Sequence, residues 1–130
     1  LRTDVIPSFP MNLIKSSKWK ILFLGYCGVI LYVSSLSLKE LPDGPALVSD
    51  KILHLGEYGL FGILAWGAFV VRKGVFPWGL VALGAWFGII DECWQDWIGK
   101  SRSADVWDAA ADAVGSLLGV MFAQLFWNKR

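Results

Sequence analysis

The side chains best suited to proton-transfer chemistry in this sequence are one histidine and three acids. They are His54, Glu92, Asp108 and Asp112, and the chain contains no other histidine. An imidazole held beside a carboxylate can donate and accept protons near neutral pH, so these four residues are the candidate catalytic groups. The candidate binding groups are Tyr58, Gln95 and Arg102. A guanidinium suits phosphate, and the tyrosine and the glutamine suit orienting a ligand.

The spacing of these residues indicates that several of them share a helix face. His54 and Tyr58 are four residues apart, and so are Asp108 and Asp112, which places each pair on one side of a helix. Gly115 continues the second stripe, so that face can approach a neighbouring helix closely. Asp112 lies too deep in its helix for the capping role that explains acids at a helix start.

A metal site is a second interpretation of the same groups. His54 and the three acids offer one nitrogen and three oxygen ligands. However, the sequence has no H-E-x-x-H or C-x-x-C spacing to fix an ion, and Arg102 would compete for the carboxylates. We therefore predict no metal and no cofactor, and metal binding stays open as an alternative.

Hydrophobic helices must position these groups. The 130 residues are 55% hydrophobic and only 18% charged, with a mean hydropathy of +0.52, which is too apolar for the surface of a soluble domain of this length. Four apolar stretches approach the length of about 20 residues that crosses a bilayer core. They are residues 19–37, 52–71, 76–93 and 106–127. The predicted fold is therefore all-α, an integral membrane four-helix bundle.

One domain accounts for most of the chain. Residues 11–130 are predicted to form the membrane domain, whereas residues 1–10 differ in character and are expected to be an expression remnant or a disordered tail. Cys27 and Cys93 make no disulfide framework. The net charge of +1 provides no basic field for nucleic acid, so that class of partner is excluded.

Small residues predict where helices approach each other. Gly84 and Gly88 form a G-x-x-x-G pair in the third span, and Ala111, Gly115 and Gly119 follow one face of the fourth. Lipid gives helices no hydrophobic reason to associate, so close backbone packing along such faces must hold the bundle together.

The distribution of basic residues predicts the orientation. From Met11 onward, seven lie on one side of the predicted spans, namely Lys15, Lys18, Lys20, Arg72, Lys73, Lys129 and Arg130. Four lie on the other side, namely Lys39, Lys51, Lys100 and Arg102. Because basic residues accumulate in the cytoplasm, both termini are predicted to be cytoplasmic in a bacterial plasma (inner) membrane. The candidate site then lies near the outer surface.

The remaining acids have simpler expected roles. Asp43, Asp50, Asp91 and Asp96 are expected to be solvated at the membrane interface, and Asp105 is expected to cap the last helix. A purely internal salt-bridge network, which holds the helices without chemistry, remains an alternative to a functional site.

An ordered set of these residues resembles the VanZ-like membrane proteins. The matching elements are Asp50-Lys51-Ile52-Leu53-His54, Tyr58, Asp91-Glu92-Cys93-Trp94-Gln95, Arg102, Asp108 and Gly115. The resemblance covers roughly residues 50–119. It implies several membrane spans and a role at the cell envelope, since the family name comes from a protein associated with resistance to the glycopeptide teicoplanin. The pattern departs at Asp112, where the family usually has Asn, and this departure adds a carboxylate.

These observations predict an outward-facing polar site that acts on or binds a cell-envelope component. The expected partners are membrane lipids together with a lipid-linked envelope precursor or a glycopeptide; the sequence leaves the oligomeric state and the presence of enzymatic activity open. The alternative is an accessory or structural membrane protein whose polar residues only hold the helices together. A proton or ion path is a further alternative, weakened because no chain of ionisable residues continues through the inner halves of the spans.

Overall fold

A computed structural model of the chain describes residues 11–36, 50–69, 74–98 and 103–127. These residues form four α-helices: α1 (Met11–Ser34), α2 (Asp50–Phe69), α3 (Trp78–Ile98) and α4 (Val106–Trp127). No β-strand occurs in the described ranges, so the predicted all-α class with four helices is confirmed. The predicted tail at residues 1–10 lies outside the described residues, as do Asp43 and Arg102.

The helices overlap the four predicted spans, and the differences are at the start of α1 and the end of α3. Helix α1 begins at Met11, eight residues before the predicted start at residue 19. The apolar pattern ends near residue 93, but α3 continues to Ile98. Backbone hydrogen bonds do not depend on side-chain polarity, so a helix can run on through acidic residues whose side chains find partners. Glu92 and Gln95 therefore lie on a regular helix and not in a loop.

Contacts between the helices define an up-down-up-down bundle. The Tyr26 hydroxyl donates to the backbone oxygen of Glu57 (2.9 Å), and the rings of Phe23 and Phe69 lie 5.2 Å apart, which makes α1 and α2 antiparallel. The indole of Trp66 donates to Gln124 (2.7 Å) near the ends of α2 and α4. Those two helices begin at the same end of the bundle and are parallel.

Helices α2 and α4 form the most extensive contact of the bundle, and glycines make it possible. A Cβ added at Gly115 would lie 2.5 Å from the backbone oxygen of Leu55, and one added at Gly119 would collide with the carbonyl of Gly59. At these positions the backbones themselves touch. The small-residue face predicted for the fourth span is therefore confirmed at Gly115 and Gly119.

Helix α3 uses its own glycines against α4. A Cβ at Gly84 would collide with the side chain of Ser116, and one at Gly88 would lie 2.7 Å from Cβ and from Oδ2 of Asp112. The predicted G-x-x-x-G pair thus faces α4, and one of its glycines makes room for a carboxylate.

Polarity is distributed in the reverse of a soluble domain. The buried polar residues are Ser34, His54, Asp91, Glu92, Gln95, Asp108, Asp112 and Ser116. Large apolar side chains are exposed on all four helices, for example Ile21, Leu24, Leu53, Trp86, Ile89, Leu118 and Leu125. Two of the helices, α2 and α4, are long and apolar enough to cross a membrane by length and composition.

Candidate functional site

Most of the buried polar residues gather at the end of the bundle where α2 and α4 begin and α3 ends. We call this group the polar cluster; its members are His54, Tyr58, Asp91, Glu92, Gln95, Asp108 and Asp112. Each is at most 6% exposed. The antiparallel course of α3 brings its last turns level with the first turns of α2 and α4, and for that reason residues far apart in sequence meet.

His54 makes the central contacts of the polar cluster. Its Nδ1 lies 2.8 Å from Oδ1 of Asp112, and its Nε2 lies 3.8 Å from Oδ2 of Asp108. Asp108 and Asp112 are one helical turn apart on α4, so the imidazole of α2 lies against two carboxylates of the same stripe. The first contact is a hydrogen bond that fixes the ring, and the second is too long to be one.

Lys51 closes the outer side of this group. Its ammonium donates to Oδ1 of Asp108 (2.8 Å) and to Oδ2 of Asp105 (3.1 Å). Asp105 also accepts a hydrogen bond from the backbone amide of Trp107 (2.8 Å), so the predicted cap of the last helix is confirmed. That amide and the ammonium of Lys51 hold the pKa of the Asp105 carboxyl below its usual value.

Glu92 joins α3 to the same group. The backbone amide of Asp105 donates to Oε2 of Glu92 (2.7 Å), and this bond ties the residues before α4 to α3. Oε1 of Glu92 and Oδ2 of Asp112 are both buried without a hydrogen-bond partner among the described residues, and so is the hydroxyl of Tyr58. Buried polar atoms are usually satisfied in native proteins, so these three atoms mark positions in the polar cluster where a polar group or a cation would be stabilised.

Asp91 corrects one expectation. It was expected to be solvated, but it is completely buried, and its charge acts on both Tyr58 and Asp112. The sequence misleads at this position because Asp91 and Glu92 are neighbours on α3, yet both side chains point into the closely packed bundle. Asp50 and Asp96 are exposed, as expected.

Lys51 pairs with the carboxylates of Asp105 and Asp108. The sequence suggested such a pairing with carboxylates for Arg102, which lies outside the described residues. The sequence offered a usable indication, since Lys51 is three residues before His54 and hence on the same face of α2. Of the other candidate residues, His54, Glu92, Asp108 and Asp112 lie together, and Gln95 lines the same cleft as His54.

That cleft leads from the surface of the molecule to His54. It encloses about 100 Å³ and is lined by Val33, Ser34, Asp50, Leu53, His54, Glu57 and Gln95. Its walls come from α1, α2 and α3, so it opens between helices and not only at the end of the bundle. Its lining is both polar and apolar, and its volume is below the roughly 300 to 1,000 Å³ of sites that enclose a small molecule, so it can take one polar group of a larger molecule.

The arrangement permits two kinds of chemistry. An imidazole oriented by a carboxylate can exchange a proton with a bound ligand. The same side chains can also hold a cation: His54, Glu92 and Asp112 offer one ligand atom each within 4.8 Å of one another, and so do Asp50, His54 and Asp108. All three residues of the first set are buried, whereas Asp50 of the second is exposed.

Comparisons of the chain with family models, with curated proteins and with solved structures give no match. The geometry of the polar cluster and of the cleft therefore carries the functional argument.

Proposed function

We propose that this chain is a VanZ-like integral membrane protein whose polar cluster forms an extracytoplasmic binding site for the head group of a cell-envelope component. A lipid-linked envelope precursor is the ligand class that fits best. The observation that carries the proposal is a group of buried oxygens on Tyr58, Glu92 and Asp112 that have no hydrogen-bond partner among the described residues, together with a cleft that reaches His54. A purely structural network would be expected to satisfy its own polar atoms.

The membrane setting is supported by the reversed polarity of the bundle. In the apolar windows of α2 and α4 only 33% of the residues are buried inside the molecule, whereas the core helix of a soluble protein is mostly buried. Exposed side chains such as Trp86 (63%) and Leu125 (61%) would each be unfavourable in water. A hydrocarbon environment removes that cost, and four spans then place both termini on one side.

The position of the cleft supports a ligand that arrives from the lipid. The cleft is lined by the apolar Val33 and Leu53 as well as by the polar His54, Glu57 and Gln95. An acyl or polyprenyl chain could remain in the bilayer while a polar group of the head enters between α1, α2 and α3. We favour the lipid-linked ligand because such a chain would hold its head group at the depth of the cleft.

Native mass spectrometry of the purified chain tests the proposal. The probes are phosphatidylglycerol, a polyprenyl-linked disaccharide with hydroxyl and amide donors, and teicoplanin, added separately to the protein in detergent. We expect adducts with the polyprenyl-linked disaccharide, whose donors can bond the buried oxygens of the polar cluster. We expect Glu92→Gln to weaken these adducts by about tenfold, equivalent to about 1.4 kcal/mol, because a hydrogen bond to a carboxylate is stronger than one to a neutral amide. Failure of all three probes to bind would contradict the proposal.

Asp96→Asn provides the matched control. Asp96 lies on α3 one turn beyond Glu92 but is exposed, so its substitution removes an acid without touching the polar cluster. If both variants lose the adduct equally, net charge and not the site accounts for binding. If neither variant loses it, the ligand binds elsewhere and the polar cluster is structural.

A further inference from the structure

We propose that His54, Glu92 and Asp112 bind a divalent cation at the centre of the polar cluster. The three residues come from α2, α3 and α4, and their ligand atoms lie within 4.8 Å of one another. Ligand atoms held tetrahedrally at about 2.1 Å from one ion lie about 3.4 Å apart. Binding an ion therefore requires the longest separation in the set to shorten by at most about 1.4 Å through rotation of the side chains.

Two buried oxygens point to such an ion independently of the clustering. Oε1 of Glu92 and Oδ2 of Asp112 have no hydrogen-bond partner in the part of the chain that the structure describes. Both residues are more than nine-tenths buried, with exposures of 4% and 0%. A carboxylate oxygen withdrawn from water needs a hydrogen-bond donor or a cation, and one ion between Glu92 and Asp112 would serve both.

The charges nearby leave room for a cation. Lys51 contacts Asp105 and Asp108 at the outer edge of the cluster, so its ammonium is already held by two carboxylates. Glu92 and Asp112 then share only His54 among the basic side chains described. A divalent ion balances two carboxylates while the imidazole binds it as a neutral ligand.

The surroundings orient the proposed ligands. The amide of Asp105 donates to Oε2 of Glu92, an outer contact of the kind that fixes the direction of a metal ligand. The second ring nitrogen of His54 faces Oδ2 of Asp108 at 3.8 Å, which is beyond hydrogen-bond distance. Gly88 admits the Asp112 carboxylate between α3 and α4.

The chemistry of the donor set narrows the choice of ion. One imidazole nitrogen and two carboxylate oxygens suit Zn²⁺ or Mn²⁺, and three protein ligands leave coordination positions open. The second possible set, Asp50 with His54 and Asp108, is weaker because Lys51 already binds Asp108 and Asp50 is exposed. The cation site follows from side-chain geometry and does not depend on the envelope ligand proposed above.

Titration of the purified full-length chain with Mn²⁺, followed by electron paramagnetic resonance, tests the cation site. The protein is prepared without a histidine tag, in lipid nanodiscs, after chelator treatment. We expect one bound Mn²⁺ with nitrogen modulation from imidazole, and because the chain has a single histidine that modulation assigns His54. Absence of a bound ion, or an ion without imidazole modulation, would overturn the inference.

Variants distinguish the proposed ligands His54, Glu92 and Asp112 from the second possible set of ligands. We expect Glu92→Gln and Asp112→Asn each to weaken Mn²⁺ binding by about tenfold or more, with Asp96→Asn unchanged. If Asp50→Asn loses Mn²⁺ binding while Glu92→Gln retains it, the ion belongs to the set that contains Asp50, His54 and Asp108, and the inference is overturned. The helical circular dichroism signal verifies that each variant folds. If Glu92→Gln does not fold, Asp112→Asn provides the test, because the amide oxygen of the new side chain can still accept a hydrogen bond from His54.

The outcome is independent of the proposed function. Binding of Mn²⁺ without binding of the polyprenyl-linked disaccharide would leave the cation site standing and remove the ligand. Binding of the disaccharide to protein that takes up no Mn²⁺ would do the reverse. The two measurements use the same purified chain, in nanodiscs and in detergent respectively, so the two failures can be told apart.

Discussion

The imidazole of His54 and the carboxylate of Asp112 lie 2.8 Å apart although 58 residues separate them in the sequence. The contact joins the first turns of α2 to the second turn of α4, and both side chains are buried. Hydrogen bonds to a charged group are stronger than neutral ones. At the other end of the same two helices, Trp66 donates to Gln124 at 2.7 Å, which offers a neutral bond for comparison.

Double-mutant cycles should reveal this difference. We expect a coupling free energy of about 1 to 2 kcal/mol between His54→Ala and Asp112→Ala, near the upper end of values measured for hydrogen bonds inside membrane proteins. The control cycle, Trp66→Phe with Gln124→Leu, should give roughly 0.6 kcal/mol. Unfolding in mixed micelles provides the free energies, and equal couplings at both ends would show that the His54 contact has no special strength.

Gly88 should be needed for the position of Asp112. In Gly88→Ala the new methyl group would lie 2.7 Å from Cβ and from Oδ2 of Asp112, so the carboxylate or the helix must move. We expect a loss of about 1 to 3 kcal/mol in the free energy of unfolding, as is typical of overpacking. The measurement is again unfolding in mixed micelles.

Gly79→Ala is the matched control on the same helix. A Cβ at Gly79 meets nothing within 4 Å, so the substitution should be neutral or slightly stabilising through helix propensity. If Gly88→Ala behaves like Gly79→Ala, the close contact between α3 and Asp112 does not exist in the folded protein.

Much of the fold was predictable from the sequence, because hydrophobic stretches and small residues determine it. The lengths of the apolar runs gave four helices, and the spacing of Gly115 and Gly119 gave the face of α4 that packs on α2. The four catalytic candidates meet because the end of α3 lies level with the starts of α2 and α4. The alternating direction of successive helices is enough to predict this. Spanning of a membrane by all four helices remains a prediction, since α2 and α4 alone have the required length and apolarity among the described residues.

The details of the polar cluster were not predictable to the same degree. Whether an acid near a helix end faces water or the interior depends on a rotation of about 100° per residue, which follows from the 3.6-residue turn. Small errors in the assumed helix phase therefore misplace a side chain, as happened with Asp91. Lys51 was missed as a site residue because a lysine at a helix start is usually solvated; its two acidic partners lie more than 50 residues away in sequence.

The contact between α2 and α4 should be the least tolerant of added volume. In Gly119→Ala the methyl group would collide with the carbonyl of Gly59, and a backbone atom cannot rotate away as a side chain can. We expect a larger loss of stability than for Gly88→Ala, with α2 and α4 forced apart and His54 drawn away from Asp112. Gly56→Ala is the control, since nothing lies within 4 Å of its Cβ. Equal stability of the two variants would contradict the close packing of these helices.

The orientation can be tested with single cysteines at the two ends of the bundle. Ser103, just before α4, and Val75, between α2 and α3, are both exposed and lie at opposite ends. In a chain carrying Cys27→Ala and Cys93→Ala, we expect a membrane-impermeant maleimide to label Ser103→Cys in intact cells. Val75→Cys should react only after permeabilisation, because the excess of basic residues predicts that its side of the bundle is cytoplasmic. The reverse pattern would place the polar cluster at the inner surface and remove an extracytoplasmic ligand, while labelling of both cysteines only after permeabilisation would contradict spanning of the membrane.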